Sequence, residues 1–444
     1  MKYLFAFSIC LTTYLVKGQD FETLCKTRVD TEETPGISVG IYENGKTSYY
    51  AFGQSNVAAH EAVSSKTFFE IGSITKTFTT SVLSYLVNEK ILKLNDPAQN
   101  YLPSTITLPD RNGKQITLLH LASAQSGLPR MPSNFAPANP NNPYIDYTSK
   151  ELAAFLNKCE LSTDPGKQYE YSNLGMGLLG FILANQMKTT YSKLIQEIIL
   201  TPLGMEQTFI SGERKFNNLF ATGYNDSKPV ESWTWTDQSV MVGAGGIVSN
   251  AEDMMKYAIA QLSDNPDKLS LAFQQAHAEV ADAIGASIQI AMGWHIKDHQ
   301  YIWHNGGTGG FRSFIGFDPK TKRAIVILTN STIGADDLGF HWLNNSYPLK
   351  KIKTPITIDA AKLKEYDGIY EISPQFKITV KTEGTSLLGQ ATGQPQFTMH
   401  SDSTDRFYLK VVPVSILFSR DKKGKIINLK LRQNGAWMEG KKIN

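Results

Sequence analysis

Cysteine is scarce in this chain of 444 residues: only Cys10, Cys25 and Cys159 occur. That excludes a small scaffold stapled by several bridges. Neither Cys25 nor Cys159 has a metal-ligating neighbour at a zinc-site spacing, so no metal or other cofactor is expected. An excess of one charge is also missing. The formal net charge is +3, and it falls to +1 once Lys2 and Lys17 are set aside with a leader segment. Nothing in that balance favours nucleic acid or an anionic membrane as a partner. Long apolar runs are absent beyond Tyr3–Val16, and there is no Gly-x-Ser-x-Gly elbow, which argues against an α/β-hydrolase.

The one apolar run belongs to residues 1–18, which read as a signal peptide. Lys2 supplies the positive start, and Val16 and Gly18 stand at −3 and −1 of a cleavage site before Gln19. The run is short for a bilayer span, and Phe7-Ser8-Ile9 before Cys10 is a poor lipobox. The expectation is a periplasmic or secreted protein with no integral membrane span after processing. Export would permit a disulfide between Cys25 and Cys159, although spacing alone does not show that they meet.

Hydrophobic residues make up 41% of the chain and charged residues 19%, enough to bury a substantial core. Its length suggests more than one domain. Ile37–Tyr42, the Asn44-Gly45 turn and Thr47–Phe52 form a hairpin. Phe68–Gly72 leads into a helix from about Ser73, with Phe78, Val82, Leu83, Leu86 and Val87 at helical spacing. A short helix at 117–121, a Pro- and Asn-rich loop at 131–147, and helices from Ser149, Gly175 and Lys193 fill the middle. Ser249-Asn250-Ala251-Glu252 reads as a capping box opening a helix to about Leu262. Phe311–Phe317 and Arg323–Thr329 form a second hairpin about Pro319. Helices in the middle and strands at both ends indicate an α+β domain over residues 19–345, its antiparallel sheet joining first and last segments beside a helical subdomain. A lysine- and proline-containing linker covers 346–359. Beyond Ala360, seven short strand candidates from Gly368 to Leu431 point to a small antiparallel β-barrel over 360–444.

Three constellations carry chemistry. In Ser73-Ile74-Thr75-Lys76, positions i and i+3 share a helix face, so an amine stands beside a hydroxyl. A serine needs a base to become a nucleophile, and a lysine serves only if burial or nearby charge lowers its pKa. The spacing alone is weak, because Ser419-Arg420-Asp421-Lys422 repeats it on a strand. In Tyr171-Ser172-Asn173, a phenol able to pass protons and an amide able to hold a substrate amide precede an apolar helix. Tyr42-Glu43-Asn44 matches that pattern too, inside the first hairpin. The third is His304-Asn305-Gly306, followed by Gly307-Thr308-Gly309-Gly310 near a strand start. Its glycines let a substrate backbone lie close, and the Gly307 N–H could join that of Ser73 as an oxyanion donor. His120 lies in an apolar run and reads as a packed helix-end residue.

Taken in order, with Phe69–Gly72, Ser126-Gly127-Leu128-Pro129 and Thr308-Gly309-Gly310-Phe311 as flanks, these motifs resemble the class C β-lactamases and penicillin-binding proteins over about residues 30–335. The resemblance implies a β-lactamase/transpeptidase-like fold and a serine acyl-enzyme pathway without metal. It makes Ser73 the nucleophile, lets Lys76 and Tyr171 share acid and base work, and gives Asn173, His304, Gly306 and Gly307 to substrate binding. Tyr224 aligns loosely with a cleft-lining tyrosine. Two departures stand out. Thr75 replaces the usual Ser or Ala, and His304-Asn305-Gly306 replaces Lys-Thr-Gly, so a cation suited to a substrate carboxylate is missing unless Arg312 restores it. The His-x-Gly form resembles the wider group of D-amino-acid peptidases, carboxypeptidases and esterases, and the last ~85 residues resemble its lipocalin-like C-terminal domain. The substrates so implied are β-lactams, D-alanyl peptides or small esters. A non-catalytic peptidoglycan sensor is the alternative.

Overall fold

The computed structural model describes residues 21–213, 219–282, 287–394, 396–410, 412–433 and 435–443. The signal-peptide segment 1–18, with Cys10, lies outside them. The described chain forms two compact units. One comprises residues up to Val29 together with Thr34–Leu349, and the other comprises Lys350–Asn444 together with Asp30–Glu33.

The first unit is built on a nine-stranded antiparallel sheet. The hairpin Gly36–Glu43 and Lys46–Asn56 pairs with the late strand Arg323–Thr329, Ile37 opposite Thr329, so the ends of this unit meet in its centre. Asn44 and Gly45 both adopt positive φ, 54° and 75°, as the tight turn requires. Arg312–Asp318 and then Tyr301–Gly307 continue the sheet. Both faces are covered, which explains the unbroken apolar run Ala324–Leu328. Ala324, Val326 and Leu328 join Ile315 and Phe317 in the main core, whereas Ile325 and Ile327 join Phe314, Phe21, Cys25 and Leu338 on the opposite face. Cys25 and Cys159 are both free thiols.

Packed in the main core is the helix Thr75–Asn88, buried along Phe78, Val82, Leu83 and Leu86. Phe78 stacks on Tyr257 of the helix Ala251–Ala260, ring centroids 3.9 Å apart and planes 12° from parallel. That second helix is capped by Asn250, which accepts from Asp253 N–H at 2.9 Å, rather than by Ser249 as the capping-box reading had it. The Ser249 hydroxyl instead lies 2.7 Å from that of Thr208, because Ser249 still belongs to the strand Ile247–Ser249. The apolar segment after Tyr171 is a helix over Asn173–Gln186.

The second unit is a closed eight-stranded antiparallel barrel. Its eighth strand, Ala436–Lys442, was not among the seven candidates, because its AWMEGKK sequence lacks an apolar alternation. Tyr366, Tyr370, Phe407 and Phe418 fill the interior with centroid separations of 4.8–5.5 Å. Arg420, from the repeated Ser-x-x-Lys pattern, pairs here with Asp405 at 2.8 Å and with Glu365. Ser419-Arg420-Asp421-Lys422 is therefore structural. Among the described residues no helix is long and apolar enough to cross a membrane.

Replacing Phe78 by Ala removes a fully buried ring and its partner's stacking surface. The expected cost is about 3–5 kcal/mol, read as a large fall in the melting temperature of the purified protein.

Candidate active site

Ser73 sits in a 3-10 turn, Gly72–Ile74, that runs directly into the helix Thr75–Asn88. Gly72 takes φ +50°, and a Cβ there would stand 2.7 Å from Gly307 N. At Gly306 the approach is closer still, since an added Cβ would lie 1.9 Å from the Ile71 carbonyl oxygen. Ser313 Oγ donates to that same carbonyl at 2.8 Å. The glycines thus press the nucleophile turn against the strand Tyr301–Gly307. That strand ends at the glycine-rich box, which the sequence reading placed near a strand start; the next strand begins at Arg312.

Strand alternation sorts the box into two faces. His304 pairs with Ile315 and Gly306 with Ser313, on the main-core face that carries Ser73. Asn305 pairs with Phe314 and Gly307 with Arg312, on the opposite face. There Asn305 Nδ2 donates to the Asp336 carboxylate. Arg312 Nη1 donates to the Thr308 and Phe311 carbonyls at 3.3 and 3.2 Å. The Arg312 guanidinium therefore does not replace the missing cation on the Ser73 side.

Lys76 is 3% exposed. Its Nζ lies 3.0 Å from Ser73 Oγ and donates to the Ala244 carbonyl at 2.7 Å. Burial, and then the positive charge of Arg130, hold its pKa well below that of an ordinary lysine. The Tyr171 side chain stands near Ser73, and Lys76 Nζ lies 4.9 Å from the centre of the Tyr171 ring. Burial pushes the Tyr171 phenol up to about 12, against the opposing pull of Ser73 and Arg130. An amine held below the ordinary lysine range and a phenol held above the ordinary tyrosine value thus flank one serine hydroxyl.

His304 is buried, with ring centroids 6.3 Å from Tyr171 and 5.1 Å from His295. Burial, then His295 and Lys76, hold its pKa well below the usual histidine value, so its imidazole is uncharged. Burial and Lys76 likewise bring His295 down to about 4. His295 Nε2 lies 3.1 Å from the Tyr169 hydroxyl. Lys76, Tyr169, Tyr171, His295 and His304 help to line a cavity of about 20 Å³, room for one water molecule.

Asn173 opens its helix beside Tyr171, but its Nδ2 contacts Met131 Sδ at 3.6 Å. Tyr224 departs from the expectation. It is 4% exposed, and its hydroxyl accepts from Val57 N–H at 2.8 Å. It packs against the edge of the hairpin strand Lys46–Asn56. His120 closes a capping box, its Nδ1 accepting from Thr117 N–H at 3.2 Å.

Sequence reasoning missed Arg130, Tyr144, Tyr169 and His295. Tyr144 lies in the loop read as surface, yet it is 9% exposed and stacks on Trp235 at 4.1 Å. Its aromatic character within a polar segment was the available signal. His295 and Tyr169 carried none, because only the folded chain brings them beside Lys76.

The chain belongs to the beta-lactamase family, whose model matches residues 21–345. It is thus a serine hydrolase of the β-lactamase and penicillin-binding protein kind. Residues 353–442 match a domain of unknown function, DUF3471. A beta-lactamase of Pseudomonas fluorescens is 29% identical over 341 residues, covering 67% of this chain and 89% of that protein. Protein flp of Staphylococcus aureus is 29% identical over 370 residues, covering 81% and 70%. The octameric penicillin-binding protein homologue from Pyrococcus abyssi shares the fold, with a TM-score of 0.65, 21% identity and coverage of 95% and 99%. A beta-lactamase/D-alanine carboxypeptidase from Pseudomonas syringae aligns with a TM-score of 0.63 and 21% identity, over 74% of this chain and all of that one.

The closeness of Gly306 to Ile71 has a direct consequence. Gly306→Ala should cost about 3 kcal/mol and displace the nucleophile turn, read as a lower melting temperature together with a collapse of kcat/KM.

Proposed function

We propose that this protein hydrolyses amide bonds of β-lactams or D-alanyl peptides through an acyl-enzyme on Ser73. The observation that carries the reading is the buried Lys76 amine 3.0 Å from Ser73 Oγ. Uncharged, it takes the hydroxyl proton as Oγ attacks the substrate carbonyl carbon. The N–H groups of Ser73 and Gly307 receive the oxyanion. When the tetrahedral intermediate collapses, the carbon–nitrogen bond breaks and the departing nitrogen takes the Tyr171 proton. The Lys76 ammonium then returns its proton to the Tyr171 phenolate. Water attacks the ester carbonyl carbon, its proton passing to Lys76 and from there to Ser73 Oγ as the acyl carbon–oxygen bond breaks. The opposite directions of the two pKa shifts support Lys76 as base and Tyr171 as acid.

A small ester is the second reading, favoured by the uncharged His304 where a carboxylate-binding lysine would stand. The same acyl-enzyme serves both, and an ester's leaving oxygen needs less help from Tyr171.

Ser73→Ala should abolish the mass increase that a penicillin or an activated ester leaves on the wild-type protein. Labelling that persists in this variant rejects Ser73. Tyr171→Phe should lower kcat for amides by roughly 10²–10⁴-fold, and for an activated ester by much less. Equal losses would reject the acid role.

The amine base must be deprotonated. The kcat/KM profile should therefore reach its plateau below the ordinary lysine range and fall as pH drops through the lowered Lys76 value. A profile rising only near the ordinary lysine range would exclude Lys76 as base.

A further inference from the structure

Among the described residues the strand wall of the cleft carries no charge on the Ser73 side. His304 is neutral there, and Arg312 lies on the opposite face with its guanidinium held by the Thr308 and Phe311 carbonyls. A cation stands on the other wall instead. Arg130 follows the Ser126–Pro129 turn and is exposed, with its Cζ 4.9 Å from the centre of the Tyr171 ring. Its placement is fixed by its backbone. The Arg130 carbonyl accepts from Asn173 N–H at 3.0 Å and Leu174 N–H at 3.3 Å, and Ser172 Oγ donates to the Pro129 carbonyl at 2.7 Å. The turn bearing Arg130 is thereby tied to the segment bearing Tyr171.

Among the described residues no carboxylate lies within ion-pair distance of the Arg130 guanidinium. Glu170, the acid nearest in sequence to Tyr171, accepts from Ser162 Oγ at 3.2 Å. An exposed arginine resting on an aromatic ring, without an acidic partner, keeps its paired donors available for a planar anion.

We propose that Arg130 is a specificity-determining residue that pairs with a carboxylate on the departing half of the substrate, beside Tyr171. This inference rests on the acyl-enzyme reading, in which Tyr171 hands its proton to the leaving group. The leaving group must then lie against Tyr171, and Arg130 is the guanidinium on that ring. The cation absent from the His304 wall is thus supplied across the cleft. The substrates selected are acyl compounds whose leaving residue ends in a free carboxylate, over the corresponding amides and neutral esters.

The test uses two thioesters with the same N-acyl-D-alanyl group, one leaving as thioglycolate and one as its methylamide. Thiol release and intact mass are followed for wild type, Arg130→Gln and Arg130→Lys. The ratio of kcat/KM between the two thioesters cancels any effect of Arg130 on Lys76 or Tyr171 that both substrates share. In Arg130→Gln this ratio should fall by roughly 10–100-fold, and Arg130→Lys should restore part of it. A ratio that stays within about threefold of wild type overturns the inference, whatever happens to the absolute rates. If the wild type forms no acyl-enzyme with either thioester, the acyl-enzyme reading fails and this inference fails with it. Acylation by both without a preference defeats the Arg130 role alone.

Discussion

An amine gives up its proton more readily where its charged form is poorly solvated, and the helix Thr75–Asn88 provides such a place for Lys76. The sheet covers it on one side and the Ala244 turn on another, leaving it 3% exposed with one carbonyl partner. Among the described residues no carboxylate offsets the burial, and Arg130 adds to it. The pairing of Lys76 with Ser73 depends on this water exclusion. A solvated ammonium at the same distance would be an ordinary helix-surface charge.

Two close approaches maintain the arrangement. Gly72 and Gly306 let the nucleophile turn and the strand Tyr301–Gly307 meet without side chains between them. Alternation along that strand then turns His304 and Gly306 toward Ser73, and sends Asn305 and the partner of Gly307, Arg312, to the far face. A box of consecutive residues is thus divided between chemistry and packing. The same pleat decides where charge is found, and it leaves the nucleophile side of this wall neutral.

The barrel unit follows a different logic. Its interior holds Tyr366, Tyr370, Phe407 and Phe418 in mutual contact, and the Arg420–Asp405 pair bonds to the Tyr366 hydroxyl. Among the described residues these rings pack against one another inside a barrel of the size that can hold one small ligand.

The amino-acid order determined the elements whose signals are local. The Asn44-Gly45 hairpin, the helix on Thr75–Asn88 and the separation of a strand-rich C-terminal unit follow from turn chemistry and period. The motif pairs Ser73 with Lys76 and Tyr171 with Asn173 were legible because their members lie within one turn or loop. Tertiary structure alone decided the rest. It withdrew Tyr224 to a bond with Val57, placed Arg312 behind the wall, drew Tyr144 inward from a polar loop, and set Arg130 and His295 about the lysine. Those outcomes depend on strand register and on contacts between segments distant in the sequence. Local propensity carries no record of either.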